Sequence, residues 1–232
     1  IYIFRGVQSA LLRSFTKEEP MADLGDFLTA PRDFLKMNLL QMIGNGPASA
    51  GVYNFKFQNM TEEGLADCKR SSKFFFKDEY AINVWFVSES AKAGGDTLPI
   101  FWLPYKPNSL CRTILSKDAP LMLTASMTGC TFGKVKYRTG EVEVCHANYQ
   151  TEEGGLDEAR MGRETAWCPT RLAQTSYRER IRGKAVTDSA RQAKMGATVV
   201  GVNDFKKGWK FYAQQWENLD GTHYIYHKLL DV

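Results

Sequence analysis

The stretch from Lys134 to Val144 constrains the fold of this chain most, because both faces of one hairpin register agree there. With Thr139-Gly140 as a two-residue turn, Arg138 faces Glu141 and Lys136 faces Glu143, pairing opposite charges across the strands. Tyr137 then meets Val142, and Val135 meets Val144, on the other face. The register carries His146 to the level of Gly133, close to Cys130, on the core side with Val142 and Val144. Neighbouring Cys145 points the opposite way. Glycines at 129 and 133 permit a bend that would bring Cys130 and His146 within hydrogen-bonding reach.

Strand signals surround this hairpin. Tyr53, Phe55 and Phe57 alternate with polar residues from Gly51 on. Apolar and aromatic runs follow at Ala81 to Val87, Thr97 to Tyr105, Leu110 to Leu115 and Pro120 to Thr128. Strands return at Ala197 to Val202 and in a last hairpin, Trp209 to Trp216 and Thr222 to Leu230, turned at Asp220-Gly221. Early helical patterns fall at Ser9 to Glu19, Pro31 to Ile43 and a short start at Thr61. Glu152 to Ala190 is a polar excursion of helix or loop. The pattern predicts an α+β fold with largely antiparallel pairing. No linker divides the chain, so residues 1–232 read as one catalytic domain, with 1–60 as an N-terminal helical extension in the alternative reading.

A Cys–His pair suits acyl transfer at an amide. The imidazole accepts the thiol proton, giving a thiolate nucleophile, and backbone N–H groups at a Gly-Cys turn can hold the oxyanion. A third group must orient the imidazole, and Thr124, upstream of Cys130 on the same stretch, is a candidate.

Other chemistries find less support. The five cysteines (68, 111, 130, 145 and 168) are odd in number and lack a CxxC pair, which suggests free thiols rather than a disulfide framework or zinc knuckle. His223 and His227 fall on one face of the last strand without a third ligand. The glycines from Gly44 to Gly51 lack the Lys and Ser/Thr of a P-loop. A net charge of +4 names no partner. Basic residues between Arg171 and Lys194 alternate with Glu179 and Asp188, as on a solvated helix face. No apolar run approaches the roughly 20 residues of a membrane span. The chain opens at Ile1 without Met, as a fragment or processed form would.

Several of these segments, in order, resemble the glutamine deamidase toxins that include the Burkholderia lethal factor and the cytotoxic necrotizing factors. Ile100-Phe101-Trp102-Leu103-Pro104-Tyr105-Lys106 is similar to a Trp-Leu-Pro-aromatic-Lys strand of that family. The segment Thr124 to Cys130 resembles one ending in Leu-Ser-Gly-Cys, with Met127-Thr128-Gly129-Cys130 as a conservative departure. Glu143-Val144-Cys145-His146 falls where the family brings in its His, and Ala197 to Gly201 with the final aromatic hairpin matches in kind and order. Residues 1 to 96 do not align with it. The resemblance implies a β-sandwich flanked by helices and no metal or organic cofactor. Cys130 becomes nucleophile, His146 base and Thr124 the orienting residue, a role that a backbone carbonyl fills in the necrotizing factors.

The implied protein is a monomeric toxin or effector, secreted or injected by a bacterium and acting in the host cytosol. It would convert a glutamine of a host protein, a Rho-type GTPase or a translation-initiation helicase, to glutamate, with no obligatory nucleic acid and no transmembrane segment. Ser90 to Asp96 and Asn148 to Gly162 are the loops expected to meet that substrate. Two other readings stay open: a transglutaminase or cysteine protease using the same dyad, and a non-enzymatic binding module in which Cys130 and His146 are structural.

Overall fold

The computed structural model describes residues 24–44, 46–61, 63–70, 82–92, 97–181 and 184–232. The helix expected over Ser9 to Glu19 lies outside them. Two short helices, α1 (Leu24–Thr29) and α2 (Pro31–Met37), precede β1 (Asn38–Met42), β2 (Gly51–Asn59), β3 (Asp67–Arg70) and β4 (Asn83–Glu89). Next come β5 (Thr97–Leu103), β6 (Ser109–Ile114), β7 (Leu121–Thr124) and the hairpin of β8 (Thr131–Lys136) and β9 (Val142–Asn148). The excursion holds α3 (Glu158–Glu164), β10 (Thr170–Leu172), α4 (Gln174–Tyr177), β11 (Arg180–Ile181), β12 (Lys184–Ala185) and α5 (Ser189–Lys194). Long strands β13 (Met195–Asp204), β14 (Gly208–Asn218) and β15 (His223–Asp231) come last.

Among the described residues, nine strands form one sheet in the order β1-β4-β2-β5-β7-β13-β14-β15-β3, and four form a second, β10-β8-β9-β6. Only β1–β4, β5–β7 and β15–β3 pair in parallel among the described strands. Phe101, Leu103, Met122, Ala197, Val199, Phe211 and Ala213 of the large sheet pack against Phe132, Val142, Val144 and Leu172 of the small one. This is a sandwich core, with sheets joined by apolar side chains from their facing sides. The opposite face of the large sheet is covered by α1 and α2, whose Phe27, Phe34 and Leu35 meet Phe55, Trp85, Ile100, Trp102 and Val200. The α+β sandwich with flanking helices is therefore present.

The large sheet also curls back on itself. Gln214 on β14 is fully buried; its Oε1 accepts the Leu40 N–H (3.0 Å), while its Nε2 donates to the carbonyls of Leu35 (2.8 Å) and Asn38 (2.5 Å). Thr198 Oγ1 donates to Leu40 O (3.2 Å), and the Tyr226 hydroxyl to Leu35 O (3.1 Å). Side chains of β13 and β14 thus satisfy backbone groups on the free edge of β1, which would otherwise be open to pairing, and Tyr226 of β15 caps the end of α2.

Where the sequence predicts a helix over Pro31 to Ile43, the helix ends at Met37 and a strand begins. Leu39 and Leu40 explain the change: one packs in the cluster with Tyr224 and Tyr226, the other with Phe55 and Trp102, on opposite sides as strand neighbours must be. Asn38 fixes the junction, donating to Phe34 O (2.8 Å) and accepting from the Trp85 indole (2.9 Å). The helix start expected at Thr61 is a turn. Its hydroxyl accepts the Val84 N–H (2.8 Å), and its own N–H goes to Asn59 Oδ1 (3.2 Å). Within the polar excursion, β10 adds an edge strand to the small sheet. The basic residues there are partly used internally: Arg178 donates to Gln192 O (3.0 Å), and Arg191 pairs with the buried Glu217 carboxylate (2.9 Å).

Candidate active site

The β8–β9 turn sets the geometry of the site. Gly140 holds φ +90° and donates to Tyr137 O (3.0 Å), while the Tyr137 N–H donates to Glu141 O (2.8 Å). The loop is therefore one residue longer than the two-residue Thr139-Gly140 turn expected from the charge pairing, with glycine in the left-handed position of a bulged turn. Every pair shifts by one: Lys136 faces Val142, Val135 faces Glu143, Lys134 faces Val144 and Phe132 faces His146. Glu143 finds its partners elsewhere. It forms an ion pair with Arg112 (2.7 Å) and accepts from the Tyr137 hydroxyl. These hydrogen bonds hold its carboxyl below the ordinary carboxylate range, against the opposing effect of burial.

A one-residue slip moves a strand's side chains to the other face. Here it places the even-numbered residues of β8 and its approach on the face that carries Val142, Val144 and His146. Cys130 and Phe132 lie with Val142 and Val144 in the inter-sheet core. Cys130 thus reaches the face of His146 without the bend that the expected register requires. Cys145 points the other way, as expected, where its Sγ lies 3.6 Å from Cys168 Sγ. Gly133 lies under these two sulfurs; a Cβ there would meet them at 2.9 and 2.6 Å.

Both reacting candidates are buried, Cys130 at 4% exposure and His146 at 1%. Burial pushes the Cys130 thiol up to about 12, with a backbone hydrogen bond from Thr128 acting in the opposite sense. Burial lowers the His146 imidazole to about 4, which the nearby Pro104 carbonyl only partly offsets. Although that carbonyl acts electrostatically on the ring, neither ring nitrogen has a hydrogen-bond partner of good geometry among the described residues. The pair is accordingly a neutral thiol and a neutral imidazole, with no hydrogen bond between them. Tyr105, 42% exposed, packs edge-on to the imidazole at 6.2 Å between ring centroids.

Thr124 ends β7 in the large sheet, fully buried, where its Oγ1 accepts the Val199 N–H (3.2 Å). No hydrogen bond joins it to His146; Pro104 O is the backbone group acting on the ring. The Cys130 carbonyl is fixed by the buried Tyr177 hydroxyl (2.8 Å). Leu156, in the loop expected to meet substrate, lies over Gly129 so closely that a Cβ there would meet its methyl at 2.6 Å. Of the other expected substrate loop, residues 93–96 lie outside the described residues. A groove of about 320 Å³ opens beside Thr131, lined by Glu158, Met161, Gly162, Arg171 and Gln174 among others.

Two neighbours of His146 are not evident from the sequence. Cys111 on β6 lies directly opposite it, and Asn148 follows two positions later on the same face of β9. Cys111 is half-buried; burial raises its pKa and Lys106 lowers it. Only the β6–β9 pairing reveals this second thiol, and that pairing has no local sequence signal. The two C-terminal histidines do not act together: His223 pairs with Asp220 (2.7 Å) at the surface, whereas His227 is buried beside Glu217 (3.4 Å). Among the described residues no group of three or more His, Cys, Asp or Glu could hold a metal ion, and no helix is long and apolar enough to cross a membrane. No model of a known family matches the chain, and no curated protein is significantly similar to it.

Proposed function

We propose that the chain is a protein-glutamine deamidase in which Cys130 attacks the side-chain amide and His146 carries the proton. The observation behind this reading is the shared inner face of β8 and β9, where Cys130 lies on the same side as a buried imidazole whose two nitrogens make no hydrogen bond of good geometry among the described residues. Unpaired buried polar groups cost free energy, so a fold that keeps them beside a thiol suggests use by an incoming molecule. The resemblance of Thr124 to Cys130 and of Glu143 to His146 to the deamidase toxins supports the same assignment, with a folded protein of another cell as substrate.

With a thiol at about 12 and an imidazole at about 4, a resting thiolate–imidazolium pair does not form. Proton transfer accompanies attack instead, as in general-base catalysis. The carboxamide displaces the local packing, His146 takes the Cys130 proton as the Sγ–C bond forms, and the proton leaves with ammonia. Water activated by His146 then hydrolyses the thioester. Pro104 O orients the ring, and Thr124 acts through the strand rather than on the imidazole itself.

Treating a eukaryotic cell lysate and scoring glutamine-to-glutamate conversion by peptide mass spectrometry tests this reading. Wild type and Cys111→Ser should convert the same glutamine, whereas Cys130→Ser should lose conversion by at least about 10³-fold. Loss with Cys111→Ser alone would move the nucleophile to the opposite strand. The non-enzymatic module is favoured by one observation, the deep burial of Cys130 with its raised thiol pKa, and no conversion with wild type would put it ahead.

A further inference from the structure

The β8–β9 pairing ends at Thr131 opposite Ala147. One position further out, the same register sets Cys130 opposite Asn148. Asn148 shares the inner face with His146 and is 3% exposed. Its amide Nδ2 has no hydrogen-bond partner among the described residues. Three buried nitrogens on adjacent same-face positions of one strand thus make no hydrogen bond of good geometry among the described residues: both of the His146 ring, where only the Pro104 carbonyl acts, and Nδ2 of Asn148. An imidazole can accept or donate, but the amide nitrogen can only donate. What it lacks is an acceptor, and the group opposite it is the candidate nucleophile.

We infer that Asn148 binds the carbonyl oxygen of the carboxamide that enters beside Cys130, holding the negative charge that develops there. The inference rests on Cys130 and His146 forming the reacting pair. As the Cys130 Sγ–C bond forms, the C=O π pair moves onto oxygen, and the Asn148 N–H donates to that oxyanion. When the C=O bond re-forms, the C–N bond breaks and the His146 proton leaves with the nitrogen as ammonia. A donor already desolvated on the face of the site requires little reorganisation during reaction, the property that makes oxyanion donors effective.

The test uses acrylamide, a primary carboxamide whose addition to a thiol also places charge on the carbonyl oxygen. Cys130 Sγ bonds to the terminal alkene carbon, the π electrons move to an enolate oxygen, and the thiol proton ends on the α-carbon. Methyl methanethiosulfonate, which has no carbonyl, serves as the reference for thiol exposure and ionisation. Rates of Cys130 modification by each are read by peptide mass spectrometry on the whole folded chain. In Asn148→Leu the acrylamide-to-thiosulfonate rate ratio should fall at least about tenfold below wild type. Asn148→Asp, of the same shape but unable to donate at neutral pH, should show the same fall if leucine prevents folding. An unchanged ratio in a folded variant, or a Cys130 that takes neither reagent, overturns the inference. A fall in the ratio with no glutamine conversion by wild type would keep the Asn148 role and remove the deamidase reading.

Discussion

His146 lies where water does not reach, and its proton affinity falls for that reason. The folded imidazole titrates at about 4, against an ordinary value of 6.5. Above pH 6.5 it is neutral in both folded and unfolded chains and gives stability no pH dependence. As pH falls from 6.5 to about 4, the unfolded chain takes up a proton that the folded chain refuses, so stability drops across that window and levels off below it. Between pH 7 and 4.5 wild type should lose about 2–3 kcal/mol more than His146→Leu in urea unfolding. Parallel losses in the two proteins would show that the imidazole is charged or hydrated when folded. The same burial explains why Cys130 is a thiol at rest: moving charge onto either partner needs compensation that the unliganded site lacks.

At the scale of elements, the small sheet depends on close approach across its outer face. Gly133 has no side chain, and the Cys145 and Cys168 sulfurs take up that space. Gly133→Ala should cost about 1–3 kcal/mol by overpacking, and about half of that should return in the Cys168→Ala background, as denaturant midpoints would report. An additive pair would mean that strain in β8, not the sulfurs, sets the cost.

Much of the strand pattern is legible in the sequence for physical reasons. Tyr53, Phe55 and Phe57 mark β2 because half-buried strands alternate, and the apolar runs before Val87 and Leu103 mark β4 and β5. The hairpin is legible but its register is not, since Thr139-Gly140 suits a two-residue turn and a bulged turn alike and Gly140 adopts the latter. Leu39, Leu40 and Ile43 mimic a helical stripe although two of them serve opposite faces of a strand and Ile43 is 47% exposed. Cys130 and His146 can be found because a turn connects them. Cys111 joins them through β6, a relation between distant segments that no local spacing encodes, whereas Asn148 extends the His146 face along β9 itself.

For the whole molecule, Gln214 is the residue through which the ends of the large sheet meet. Its three hydrogen bonds reach the backbone of Leu35, Asn38 and Leu40 from strand β14. Gln214→Leu keeps the volume but removes this partner from the Leu40 N–H and the Asn38 carbonyl, while the Leu35 carbonyl keeps the Tyr226 hydroxyl. We expect it to cost about 3–5 kcal/mol and to lower the thermal midpoint by roughly 10 °C. A loss under about 1 kcal/mol in calorimetry would show that water or a shifted backbone satisfies them instead.

That closure also bears on synthesis. A chain emerging from the ribosome presents β1, β4, β2 and β5 long before β13 and β14 exist, and β1 needs Thr198 and Gln214 to cover its edge. Until then the nascent half carries an exposed strand edge and an unfilled apolar face, the features that recruit chaperones and promote aggregation. Productive folding therefore waits on the C-terminal hairpin, and a ribosome that stalls before it leaves a chain prone to stick to its neighbours.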